Sequence, residues 1–268
     1  MGDSQERELS WFDNSLPAAL SRDGKTLLFA EVGEAGGATY GVYIRGTDGS
    51  PAIRLGDGNP TALSPDGKWA LCITHTSPEQ LYLLPTKAGE PKAVTNDAID
   101  HVAAAWHPDG KHFIFSGSEP GHAIRIYVQA LEGGKPEAIT PEGGGTLGIR
   151  VSPDGKLVQG FGPDGKRWLF PVEGGEPRPI PGLALGENID SWSEDGHSIY
   201  VHNFAGLPCV ISRVDLATGK RTVWKQIVPA DAAGVDSAGS ILLTPDAKSY
   251  VYAYTRTLSD LYVVEGLK

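Results

Sequence analysis

Leu63–Trp69 reads LSPDGKW, and near-copies stand at Trp106–His112 (WHPDGKH) and Val151–Leu157 (VSPDGKL). In Ser-Pro-Asp-Gly, proline fixes φ at the second position of a type I turn and aspartate suits the third. Glycine then takes the following left-handed position without a Cβ clash. Apolar residues precede each copy and alternating residues follow it, as in KTLLFAE (Lys25–Glu31) and KHFIFSG (Lys111–Gly117), so each copy reads as the turn between two β-strands. Weaker copies are LSRDGKT, WSEDGHS and LTPDAKS, which makes six, with aspartates Asp23, Asp66, Asp109, Asp154, Asp195 and Asp246. Their steps are 43, 43, 45, 41 and 51 residues. A period of about 40–45 residues built from short strands is that of a propeller whose blades have four strands each.

Further turns inside the units agree. GTDGS at Gly46, KAGEP at Lys87, EGGKP at Glu132, EGGEP at Glu173 and ATGK at Ala217 each separate two more strand-like runs. Each unit reads as strand a, Pro-Asp-Gly turn, strand b, loop, strand c, glycine turn, strand d. The sixth unit ends at strand c (Leu261–Val264), while ERELSWF at Glu6–Phe12 occupies the place that PAIRL, PKAV, PEAIT, PRPI and KRTVW hold before the later units. The expectation is an all-β fold, a six-bladed propeller spanning residues 1–268 as one domain, its ring closed by an N-terminal outer strand at Glu6–Trp11 that leaves no unpaired edge.

Composition fits this reading. The 268 residues include 35 Gly and 20 Pro, but these fall at periodic turns rather than in tracts, and 40% hydrophobic content with six Trp makes a packed core. Twenty-three basic against 33 acidic residues give a net charge of −10, which argues against nucleic acid or an anionic membrane surface as partner. No apolar run approaches a membrane-spanning length, and MGDSQERE lacks both the apolar stretch of a signal peptide and the Ser or Thr of a myristoylation motif. Taken alone, the chain is expected in the cytoplasm as a monomer. As part of a larger receptor it would be periplasmic or otherwise extracytoplasmic. Cys72 and Cys209 fall in opposite units, too far apart for a disulfide, and read as small core residues.

The turns, each followed by an alternating strand, resemble the propeller repeats of the TolB-like family over essentially the whole chain. Three stretches, residues 8–33, 119–143 and 242–268, are similar to the C-terminal propeller region of bacterial receptor-type serine/threonine kinases. That resemblance implies a sensory or ligand-binding role. The kinase parts themselves, a phosphate-cradling glycine loop, a Val-Ala-Ile-Lys strand, a His-Arg-Asp loop and an Asp-Phe-Gly site, do not occur in the sequence, nor does a Gly-x-Ser-x-Gly nucleophile elbow.

The a-to-b and c-to-d turns are uniformly tight, whereas the b-to-c and d-to-a connections vary, from GEAGGAT and NFAGLP to QIVPADAAGVDSAG. Binding residues favour variable loops on a rigid frame, so the second face is the candidate functional face. It carries Asp13, Asp57, Asp97, Asp100, Glu119, Glu142, Glu187, Asp190, Asp231 and Asp236, with Arg256 among few cations, so the expected partner is a neutral or basic protein, peptide or small ligand. DAIDHV and GENIDSW place Asp100, His101, Asn188 and Asp190 around the channel mouth, and with Arg256 these are the candidate ligand-binding residues. Trp106 and Trp192 read as interblade core, as do Trp11 and Phe12 beside the closing strand; His107, His112 and His197 read as exposed polar residues of the turns; Phe161 precedes a shortened b-to-c hairpin. Two functions follow. One is a non-catalytic binding or sensory propeller with no cofactor; the other is a hydrolase or lyase with a divalent metal held at the channel mouth by groups such as Asp100 and His101.

Overall fold

A computed structural model describes residues 6–12, 14–33, 36–37, 39–203, 206–257 and 262–263. Its regular elements among these residues are 21 β-strands, with a 3-10 position at Gly36. The first sheet is a meander of β1 (Ser15–Leu20), β2 (Thr26–Glu31), β3 (Gly41–Gly46) and β4 (Ile53–Asp57). The second is β5 (Asn59–Leu63), β6 (Trp69–Ile73), β7 (Leu81–Pro85) and β8 (Lys92–Ala93); the third is β9 (Asp100–Trp106), β10 (His112–Ser118), β11 (Arg125–Ala130) and β12 (Glu137–Ala138). The fourth has three strands, β13 (Leu157–Phe161), β14 (Arg167–Pro171) and β15 (Arg178–Pro179). The fifth is β16 (Asn188–Trp192), β17 (Ser198–His202), β18 (Cys209–Asp215) and β19 (Arg221–Ile227), and the last is the pair β20 (Val235–Leu243) and β21 (Tyr250–Arg256).

Every adjacent pair is antiparallel, and five of the six Pro-Asp-Gly-like turns share one side-chain pattern. Gly24, Gly67, Gly110, Gly155 and Gly196 all have φ between 67° and 78°, as the turn requires. In the sixth turn Ala247 is forced to φ 52°. The aspartate closes the turn: Asp66 Oδ1 accepts from Ser64 Oγ at 2.7 Å and from the Lys68 N–H at 3.1 Å, and the pattern repeats at Asp23, Asp154, Asp195 and Asp246.

The core is distributed as layers between neighbouring sheets. Leu71, Ile73 and Leu83 of the second sheet pack on Trp106, Phe113 and Phe115 of the third. Ile114 and Ile126 meet Val158 and Phe170; Leu169 meets Ile199 and Val214; Ile211 and Ile227 meet Ile241 and Leu243. Trp106 and Trp192 are buried in these layers as expected. So are the two cysteines, both free thiols, and burial pushes the Cys72 thiol up to about 12.

Three expectations need correction. Among the described residues there are five blades and a two-stranded hairpin, not six closed four-stranded blades. The expected last strand c, Leu261–Val264, lies outside the described residues apart from Tyr262 and Val263, which are exposed and in no strand. Nor is Glu6–Trp11 a strand. It crosses from the first blade to the hairpin by side chains: Leu9 packs with Leu27, Phe29, Tyr43, Leu242 and Val251, Tyr252 Oη donates to Glu6 Oε1 at 3.1 Å, and a cleft of about 880 Å³ remains at this junction. Trp11 and Phe12 are exposed rather than core; Trp11 stacks beneath the Arg45 guanidinium at 5.5 Å.

In the fourth blade the first strand has shrunk to a single bridge, Val151 to Val158. The glycine-rich run Gly143–Gly148 favours no extended ladder, and side chains substitute for it: Gln159 Nε2 donates to the Gly148 carbonyl and Arg167 donates to Thr146 Oγ1 at 2.6 Å. Phe161 ends β13, and the second Pro-Asp-Gly joins it directly to β14, the shortened hairpin expected there.

Candidate functional site

The first strands of successive sheets run side by side around a central channel of about 440 Å³. Ala18 and Ala19 from β1, Thr61 and Ala62 from β5 and Ala103 to Ala105 from β9 wall one side. Leu147 to Arg150, Asp190 of β16 and Leu242 of β20 complete it. Small side chains at these positions keep the channel open where strands converge most closely.

Arg150 and Asp190 are the charged side chains of this wall. Arg150 immediately precedes its turn-flanking Val151, a position filled by Ala19, Ala62, Ala105, Ser191 and Leu242 in the other repeats. Its Nε donates to the Asp190 carbonyl at 2.7 Å and Nη1 to the Ile149 carbonyl at 3.0 Å, which ties the fourth blade to the fifth. Burial holds the guanidinium pKa below its ordinary value, against the favourable charge of Asp190. The Asp190 carboxylate lies behind it on the Nδ1 of His202, and burial pushes that carboxyl above the usual range although His202 and Arg150 both oppose the shift.

The five residues singled out from the sequence do not converge. Only Asp190 contributes to the channel wall. Asp100 is exposed, with Oδ1 accepting from the Glu79 N–H at 2.8 Å. His101 turns the other way and is fully buried against Phe115 at 4.6 Å, its Nδ1 2.9 Å from the Glu79 carbonyl and its Nε2 3.9 Å from Asp97 Oδ1. Burial, first of all, holds the His101 pKa below its ordinary value. Asn188 is half-buried and pairs across the ladder with His202. Arg256 lies at the end of β21, where it donates to Asp231 Oδ2 at 3.1 Å and to the Asp231 carbonyl at 2.7 Å.

The acidic loop face is largely neutralised from within. Arg54 meets Asp57 at 2.5 Å, Arg125 and His122 meet Glu142 at 3.3 and 2.8 Å, and Arg221 grips Glu187 through two nitrogens at 2.5 and 3.0 Å. Asp13 lies outside the described residues. The d-to-a connections also leave large apolar side chains exposed: Leu147 at 78%, Leu185 at 81% and Val228 at 52%. Sequence reading missed Leu147, Arg150 and His202; aligning the repeats position by position exposes Arg150 at once, because five of the six equivalents are small or apolar.

No protein-family model matches the chain, and no curated protein is detectably similar to it in sequence. Solved structures are similar in shape. TolB from Acinetobacter baumannii superposes with a TM-score of 0.66 at 17% identity, over 87% of this chain and 64% of that one. The fold is that of a TolB-like β-propeller. A putative TolB from Agrobacterium tumefaciens gives 0.68 at 21% identity, covering 91% of this chain and 90% of that one. An oligogalacturonate lyase in complex with manganese gives 0.60 at 17% identity, covering 87% and 69%. At such identities the likeness is one of fold.

Proposed function

We propose that this TolB-like propeller is a non-catalytic binding or sensory module, related to the sensor region of bacterial receptor-type serine/threonine kinases, that presents its loop face and channel mouth to a neutral peptide, protein or small ligand. The observation that carries the reading is Leu147, a large aliphatic side chain 78% exposed on the channel wall. Apolar surface offered to water beside a concave opening is what a binding site supplies. The charged groups around it are spent on the frame: Arg150 on backbone carbonyls, Asp190 on His202, Glu187 on Arg221. A hydrolase or lyase at the mouth would need groups free to move protons or hold a metal, whereas Asp100 is exposed and His101 buried, and among the described residues no third ligating atom gathers with the two.

The test is a peptide-display selection on the purified chain, followed by affinity measurement on wild type and Leu147→Glu. The proposal expects apolar or neutral sequences that lose binding to the variant. Selected peptides that bind both proteins equally would overturn it.

A further inference from the structure

The third Pro-Asp-Gly turn departs from the other five in a way that turn chemistry does not require. Elsewhere the residue two before the aspartate is a hydroxyl, Ser21, Ser64, Ser152, Ser193 or Thr244, and it donates to the aspartate at 2.6–2.7 Å while accepting the N–H that opens strand b. Here that residue is His107, and a second imidazole, His112, stands where strand b begins. His107 Nδ1 lies 3.1 Å from Asp109 Oδ1, and His112 Nδ1 lies 2.7 Å from Asp109 Oδ2. The three ligating atoms fall within 4.8 Å of one another.

The His107 tautomer is set from outside the cluster. Its Nε2 is 3.1 Å from the carbonyl of Gly155 in the next turn, and the Asp109 N–H donates to Nδ1 at 3.3 Å. Nε2 therefore carries a proton, and the 3.1 Å approach of Nδ1 to Asp109 Oδ1 is one that a cation between them, a ring proton or a metal ion, satisfies. The approach to the next blade is close, since a Cβ on Gly155 would lie 2.3 Å from His107 Nε2. An imidazole whose far nitrogen is anchored by a backbone carbonyl is how metal-ligating histidines are held.

We propose that His107, Asp109 and His112 form a site for a divalent transition-metal ion of the zinc class, at the turn of the third blade and bridged to the fourth through Gly155. Two imidazoles and one carboxylate suit Zn²⁺, Ni²⁺ or Cu²⁺ rather than Ca²⁺ or Mg²⁺, with water completing the coordination. The His112 ring is half-exposed, which leaves it room to turn toward metal–nitrogen bonds of about 2.0–2.1 Å. Asp100 and His107 lie at opposite ends of β9, so the site faces away from the channel mouth, stands apart from the binding reading above and serves to clamp neighbouring blades.

The experiment titrates Zn²⁺ into the purified chain in competition with a chromogenic chelator, for wild type, His107→Ser, His112→Gln and His122→Gln. His107→Ser restores the hydroxyl of the other five turns and keeps the fold intact. The expected result is one equivalent bound by wild type and by His122→Gln, with affinity lowered on the order of tenfold or more in His107→Ser and in His112→Gln. A wild type that fails to compete with the chelator overturns the proposal, as does a His107→Ser protein that binds as tightly as wild type.

Discussion

The Asp190 carboxylate straddles His202 Nδ1, its two oxygens 2.8 and 2.9 Å away, and both side chains are buried. They belong to neighbouring strands, β16 and β17, on the channel side of the fifth blade. A buried pair of this kind stabilises through completeness: removing the Asp190 carboxylate takes a buried hydrogen-bond partner from His202 Nδ1. Asp190→Ala should therefore cost about 3 kcal/mol in urea unfolding, whereas Asp100→Ala, which loses one exposed hydrogen bond, should cost about 1 kcal/mol or less. Equal losses would mean that the Asp190–His202 contact does not hold the blade.

Ala247 adopts φ 52° where the other five turns use glycine. A Cβ in that region is strained, and removing it outweighs the added freedom of the unfolded chain. Ala247→Gly should raise stability by about 0.5–1 kcal/mol, read as an upward shift of the unfolding midpoint. A lowered midpoint would show that the packing of Ala247 against the last hairpin matters more than its backbone.

The segment before β1 is held by Arg45, which donates to the Leu9 carbonyl at 2.8 Å and to the Gly49 carbonyl at 3.0 Å. Deleting residues 1–11 removes Leu9 from the junction of the first blade with the last hairpin and strips Arg45 of a partner. The truncated protein should melt less cooperatively and aggregate sooner, with a loss of about 2 kcal/mol or more. Unchanged melting and monodispersity would show that this junction holds without the segment.

His101 gives the pH dependence. Burial lowers its folded pKa, with the charges of Asp97 and Asp100 and the Glu79 carbonyl acting against the shift. In the unfolded chain it titrates near the ordinary value of about 6.5. Between the two values the unfolded state binds more protons, so stability is whole above about pH 6.5 and falls as pH drops below it, by at most about 1.4 kcal/mol per pH unit. His101→Gln keeps a donor for the Glu79 carbonyl and should flatten this acid limb. Parallel limbs for the two proteins would assign the acid sensitivity to other groups.

The repeat of Pro-Asp-Gly turns made the strands and their order legible, because a turn that needs glycine at positive φ and an aspartate acceptor constrains residues at fixed offsets. Strand-pair completeness was less legible. Glu6–Trp11 has strand-like composition, but Arg45 and Tyr252 bind it by side chains and no ladder forms. The site was partly legible. Asp100 and His101 are neighbours in sequence, yet alternation along β9 sends one to solvent and the other into the core, and the paired Arg221 and Glu187 are 34 residues apart. Pairing across such distances leaves no local signal, whereas Arg150 and His107 both stand out once each repeat is used as a reference for the others.

Binding at the channel mouth is most directly tested by hydrogen–deuterium exchange on the purified chain with and without a peptide selected on it. The account predicts slowed exchange at residues 146–150 and 184–190, around Leu147 and Asp190, with the outer strands β4, β8 and β12 unchanged. Protection confined to those outer strands, with residues 146–150 exchanging as in the free protein, would contradict it.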